Sequence, residues 1–180
     1  MLGHFLSDAV AGEFFKWFHL VRYEPPQALA DGMIWHGFRP DGEKFRKLVT
    51  VNLECDAADR LVDATLCLDR AFVEQAKDGA FARDIAGSFL RWALPGEALA
   101  RLGDFLAELG DPGPNVIRLA GVPRPALPAQ PTAPYRVYLG RDKDCDLALP
   151  GMVLRLTNLQ ARDAPRDPAH DWIWFRAYLR

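Results

Sequence analysis

Leu48–Asp69, LVTVNLECDAADRLVDATLCLD, is the stretch that decides the fold. Val49, Val51, Leu53 and Cys55 alternate with Leu48, Thr50, Asn52 and Glu54. After Asp56–Asp59 a second set, Val62, Ala64, Leu66 and Leu68, alternates with Leu61, Asp63, Thr65, Cys67 and Asp69. Successive strand residues point to opposite faces, so a slip of one residue sends a whole apolar set to the wrong side. Burying both sets together therefore sets the pairing parity. The shortest register pairs Leu53 with Val62, Val51 with Ala64 and Val49 with Leu66, leaving Asp56–Asp59 as a four-residue loop. The opposite face then matches Asn52 with Asp63, Thr50 with Thr65 and Arg46 with Asp69; the Thr–Thr and opposite-charge pairs are favourable cross-strand neighbours.

Two helices follow. Phe81, Ile85, Phe89 and Trp92 recur at spacings of four, four and three, which predicts a helix over Ala80–Leu94 with Asp78 as its N-cap. Pro95 suits the first turn of the next helix, where a missing N–H costs nothing. Leu99, Leu102, Leu106 and Leu109 form its stripe, and Gly110 ends it. Upstream, Met33–Arg39 reads as a strand turned by Pro40–Glu43 into one that begins at Lys44. That turn pairs Phe38 with Phe45 and Ile34 with Val49, and sets Trp35 beside Leu48 on the outer face. His36 then faces inward, as a hydrogen-bonded core residue. Leu6, Val10, Phe14, Trp17, Phe18 and Val21 predict one helix over residues 4–22, packed on the sheet or docked on another protein.

Val116–Leu119 reads as a short strand, and the prolines of residues 121–134 as a stiff internal connection. Pro125-Ala126-Leu127-Pro128 fits a PxxP docking pattern, but such patterns are frequent and a spacer is the simpler reading. Tyr135–Gly140, Met152–Asn158 and Asp171–Leu179 have strand character, with a polar loop at Arg162–His170 before the last. The whole is a single α+β domain over residues 1–180: an antiparallel sheet of two β-meanders, packed by an N-terminal helix and a central helix pair, in the order α-βββ-αα-βββ. That order is similar to several small binding folds, secretion-chaperone-like ones among them, an analogy of fold alone.

The apolar content of 49% and charged content of 26% are those of a soluble globular chain. A net charge of −2 gives no basic field for nucleic acid. The apolar N-terminus is interrupted by Asp8, Glu13 and Lys16, so neither a signal peptide nor a membrane span is expected. Cys55, Cys67 and Cys145 have no CxxC spacing, and the register puts Cys55 and Cys67 on opposite faces. No disulfide is expected, and the cytoplasm is the expected compartment.

Leu139–Pro150 resembles the opening of a forkhead-associated domain, in which a Gly-Arg pair precedes an acidic loop. Met152–Leu156 lacks that family's Ser-x-x-His segment, so phosphothreonine binding is not expected. Asp142, Asp144 and Asp146 imitate a calcium loop, yet Leu147 and Val153 stand where an EF-hand needs Gly and Glu. No nucleophile elbow, phosphate loop or metal-ligand spacing is present, so no cofactor is expected and an enzyme has no positive support. The expected site is the stripe Trp172, Trp174, Arg176 and Tyr178, residue types that dominate protein-interface hot spots. It implies an interaction module for a protein partner or for a second copy of the chain. The alternative is a small-ligand binder or hydrolase with its pocket at Trp35, Thr50, Asp63 and Thr65.

Overall fold

The computed structural model describes residues 1–75, 79–110, 127–159 and 171–180. Asp78, Val116–Leu119, Arg162–His170 and most of the proline-rich connection lie outside them. One antiparallel sheet of eight strands organises the chain. Its strands are β1 (Leu20–Arg22), β2 (Gln27–Ala28), β3 (Ile34–Pro40), β4 (Val49–Cys55), β5 (Leu61–Asp69), β6 (Asp144–Leu149), β7 (Met152–Asn158) and β8 (Trp172–Leu179). Their order is β1-β3-β4-β5-β8-β7-β6, with β2 beside β1 on the free edge of β3. The two expected meanders are thus one sheet, joined where β5 pairs with β8.

The parity read from the sequence holds, but the register does not. Val51 faces Leu66, Leu53 faces Ala64 and Val49 faces Leu68, a shift of two residues that leaves every inward side chain inward. Val51, Leu53, Cys55, Ala64, Leu66 and Leu68 are fully buried. An irregularity at Glu54/Cys55 pairs Cys55 with Leu61 and lengthens the loop to Asp56–Arg60. A bulge changes the face of the residues beyond it. Leu61 therefore reaches the core with no exposed surface, while Val62, expected there, is only half-buried.

The preceding turn is also longer than expected. Residues 41–48 form it, and Phe38 pairs with Val51 and Ile34 with Cys55. Arg46 bonds the Asp41 carbonyl instead of meeting Asp69. Asp69 instead caps α3 (Arg70–Glu74), accepting the Phe72 N–H at 3.1 Å.

The helical layer covers the inner face. The expected N-terminal helix is broken into α1 (Leu6–Val10) and α2 (Glu13–Trp17). The cause is a long-range contact: the Trp92 indole N–H donates to the Ala9 carbonyl at 3.1 Å. The same ring packs on Gly12, where a Cβ would stand 3.2 Å from the indole nitrogen. Phe14 and Phe15 then pack on Trp92, each at 5.4 Å between centroids, so this segment mainly builds core. α4 (Gly79–Ala93) matches its predicted stripe, with Ile85 and Phe89 buried. The second helix is two pieces, α5 (Gly96–Ala100) and α6 (Gly103–Gly110).

Tyr135–Gly140, expected as a strand, is instead the body of α7 (Ala133–Tyr138). Thr132 caps it by accepting the Tyr135 N–H, and Pro134 sits in the first turn, where it is tolerated. Glu108 of α6 in turn accepts the Thr132 N–H at 2.8 Å, tying α7 to the helix pair. Asp144–Leu149, which includes two of the acids that imitate a calcium loop, is the edge strand β6; alternating acids such as Asp144 and Asp146 keep an edge from pairing with other chains.

The bulged register has a direct consequence for stability. Leu61→Ala should cost about 2–5 kcal/mol, and Val62→Ala about 1 kcal/mol or less. Urea titration of the two variants checks this, and the reverse ranking contradicts the register.

Candidate functional site

The face of the sheet opposite the helical layer carries both residue sets singled out from the sequence. Trp174 lies between Cys67 of β5 and Thr157 of β7. Arg176 lies between Thr65 and Arg155, and Tyr178 between Asp63 and Val153. Trp172 faces Asp69 at the strand end. One strand further, Thr50 faces Cys67, Asn52 faces Thr65 and Glu54 faces Asp63; Trp35 of β3 then faces Glu54. The stripe and the proposed pocket residues therefore share one continuous surface across β3, β4, β5 and β8.

Trp174 is 38% exposed and Arg176 is exposed, while Trp172 and Tyr178 are half-buried. At the far end the Trp35 ring folds over Gly37 and meets Tyr23 edge-on at 6.1 Å. A Cβ at Gly37 would stand 2.8 Å from the Tyr23 ring, so only glycine leaves room for this pair. Aromatic groups thus bracket a polar middle of Thr50, Asn52, Glu54, Asp63 and Thr65.

An ion pair joins the two halves. Arg176 Nε donates to Asp63 Oδ2 at 2.5 Å, and the Thr65 hydroxyl donates to Asp63 Oδ1 at 3.1 Å. Asp63 is only 4% exposed. Burial pushes its carboxyl above the ordinary value, against the opposing pull of the Arg176 and Thr65 hydrogen bonds. Glu54 is pushed up by burial and then by the Asp63 charge facing it. For Arg176, burial disfavours the cation, but the bonds and charge of Asp63 outweigh it and hold the guanidinium protonated. The guanidinium also lies 5.4 Å from the Tyr178 ring centroid. On β7 and β6, Arg155 and Asp146 form a two-pronged pair at 2.6 and 2.5 Å. Charge on this face is therefore largely compensated.

The thiols differ in placement, as the sequence indicated: Cys55 is on the inner face, and Cys67 on the outer face opposite Thr50. All three cysteines are free. Burial pushes the Cys67 thiol up to about 12, which makes it a poor nucleophile. A cleft of about 340 Å³ in the helical layer is bounded by Trp17, Phe81, Ser88 and Leu106. Trp17, at 67% exposure, is the most exposed aromatic side chain there. His36, expected to be hydrogen-bonded, is buried opposite Leu53, but among the described residues neither ring nitrogen has a partner. No helix among the described residues is long and apolar enough to cross a membrane.

No family model matches this chain, and no match was found among curated proteins or solved structures.

The Glu54–Asp63 juxtaposition sets a pH-dependent stability term. A carboxyl whose folded-state value is raised costs stability once ionised, so the cost grows as pH rises through that value. Glu54→Gln should raise the thermal midpoint at neutral pH. The gain should shrink as pH falls, and vanish below the ordinary value of 4.5, where Glu54 is protonated in both states. Thermal melts of both proteins from pH 3.5 to 7.5 check this. A neutral-pH loss in Glu54→Gln contradicts it.

Proposed function

We propose that this protein is an interaction module that docks a protein partner face-on against the outer surface of its sheet. The anchors are Trp172, Trp174, Arg176 and Tyr178. The observation that carries this reading is the exposure of Trp174 and Arg176 in mid-sheet, on a strand paired along both edges by β5 and β7. Because β8 has no free backbone edge, recognition through it uses side chains and not strand addition. Trp, Tyr and Arg are the side chains that dominate binding hot spots. Arg176 is held in place by Asp63, so little side-chain freedom is lost on docking. Asp63 takes only the Nε donor of the five N–H donors a guanidinium offers. A partner with an apolar patch beside a carbonyl or carboxylate fits this surface, and a second copy of the chain is an alternative occupant. The three free thiols suit the reducing cytoplasm as the setting.

A second reading takes the same surface as a small-ligand or hydrolase site at Trp35, Thr50, Asp63 and Thr65. Its support is the pair of facing carboxyls, Glu54 and Asp63, both raised by burial, as acid–base groups often are. Asp63 is already engaged by Arg176 and Thr65, which favours the docking reading.

Trp174→Ala is the clean probe, because Arg176 also neutralises a buried carboxylate. A photo-crosslinker at Tyr178 in the native host should capture the partner, and light scattering should report any self-association. The affinity of that complex should fall at least about 30-fold in Trp174→Ala, with stability within about 0.5 kcal/mol of the parent. Unchanged affinity contradicts the reading, as does a large loss of stability, which would make Trp174 a core residue. Arg176→Ala should instead cost about 1–3 kcal/mol of stability, since it strands Asp63.

A further inference from the structure

His36, Cys55 and Asp59 meet at one end of the sheet's inner face, beneath the β4–β5 loop. His36 pairs with Leu53 and Cys55 with Ile34, so the imidazole and thiol are diagonal neighbours on adjacent strands. The five-residue loop brings Asp59 back over them. Asp56 holds that loop by accepting the Ala58 and Arg60 N–H groups, each at 2.9 Å, and the Asp59 carbonyl accepts the Leu6 N–H at 3.0 Å. Donor atoms of His36, Cys55 and Asp59 all lie within 4.8 Å of one another. The second observation is the imidazole itself. His36 is 5% exposed, yet among the described residues neither ring nitrogen has a hydrogen-bond partner. A buried, unsatisfied polar group is rare and unfavourable.

We propose that His36, Cys55 and Asp59 bind a divalent transition-metal ion, zinc by preference, with a fourth position open to solvent beside Asp59. Imidazole nitrogen, thiolate and carboxylate form a zinc donor set, whereas calcium and magnesium take oxygen ligands. Thiolate and carboxylate together neutralise the 2+ charge, which suits a partly buried site. Zinc bonds of about 2.0–2.3 Å place tetrahedral donors roughly 3.3–3.8 Å apart, so the three groups need to close by about an ångström. Asp59 is exposed and can supply that movement. Burial, followed by the Arg22 charge, holds His36 below its ordinary value and so in the neutral, ligating form. The Cys55 thiol, pushed up to about 11 chiefly by burial, is protonated without metal; its proton leaves to solvent as the sulfur–metal bond forms. The Arg22 field opposes the bound cation and the Asp56 field favours it.

The test titrates the metal-stripped 180-residue chain with Co²⁺ and then Zn²⁺. One equivalent of Co²⁺ should bind, with a thiolate-to-cobalt charge-transfer band that Zn²⁺ displaces. Cys55→Ala should abolish the band. Asp59→Asn keeps a residue that tolerates the loop's positive φ of 60°, and so the fold. It should weaken Co²⁺ binding at least about tenfold. Failure of the parent chain to take up one equivalent overturns the proposal, as does a charge-transfer band that survives Cys55→Ala.

Discussion

Alternation along β5 governs the molecule. Ala64, Leu66 and Leu68 point into the helical layer, while Asp63, Thr65 and Cys67 point away from it, and β4 and β8 continue both rows. A strand paired on both edges has no backbone group left to satisfy, so its two faces are set by side chains alone. Phe175 on β8 shows how the inner row is covered: it stacks on Phe105 of α6 at 6.4 Å and meets Tyr138 of α7 at 6.1 Å. Among the described residues, the outer row, one residue away in each strand, receives no such cover at Trp174 and Arg176.

A buried ionic contact fastens the end of this arrangement. Arg70, first residue after β5, donates from Nε to Asp171, the residue before β8, at 2.6 Å, and the Arg70 backbone N–H donates to the Asp171 carbonyl at 2.9 Å. Both residues are about 5% exposed. Removing one partner of such a pair strands the other charge, a cost of roughly 3–5 kcal/mol. Gly140, at φ +72°, brings the end of α7 against the same guanidinium, where a side chain would collide with Arg70. Polar groups thus fix where the two halves of the sheet meet, and apolar groups fix which way they face.

Parity was legible in the sequence because it depends only on period-2 alternation, visible in Val49–Cys55 and Leu61–Asp69. Register was not, since it depends on turn geometry: the bulge before Leu61 and the long turn before Val49 carry no strong local signature. The break between α1 and α2 arises from Trp92, some eighty residues away, and no local periodicity can report it. Thr132 and Pro134 were the available signals for α7, but the alternation after them outweighed their capping role. The outer-face residues were identifiable by type. Their union into one surface needed the β5–β8 pairing, which spans more than a hundred residues. The His36–Cys55–Asp59 cluster escaped because the shorter register put a four-residue loop where five residues bring Asp59 back. An inward histidine in an apolar strand row was its one local sign.

Among the described residues the sheet has one covered face and one open face, and reactivity along β8 tests this directly. Single cysteines are placed in turn at positions 173 to 178 in a Cys145→Ser background, and their labelling by a water-soluble maleimide is timed in the folded protein. Cysteines replacing Trp174 and Arg176 should label fast, and those replacing Ile173, Phe175 and Ala177 only on unfolding. Equal protection at all positions, or fast labelling on the opposite set, would contradict it.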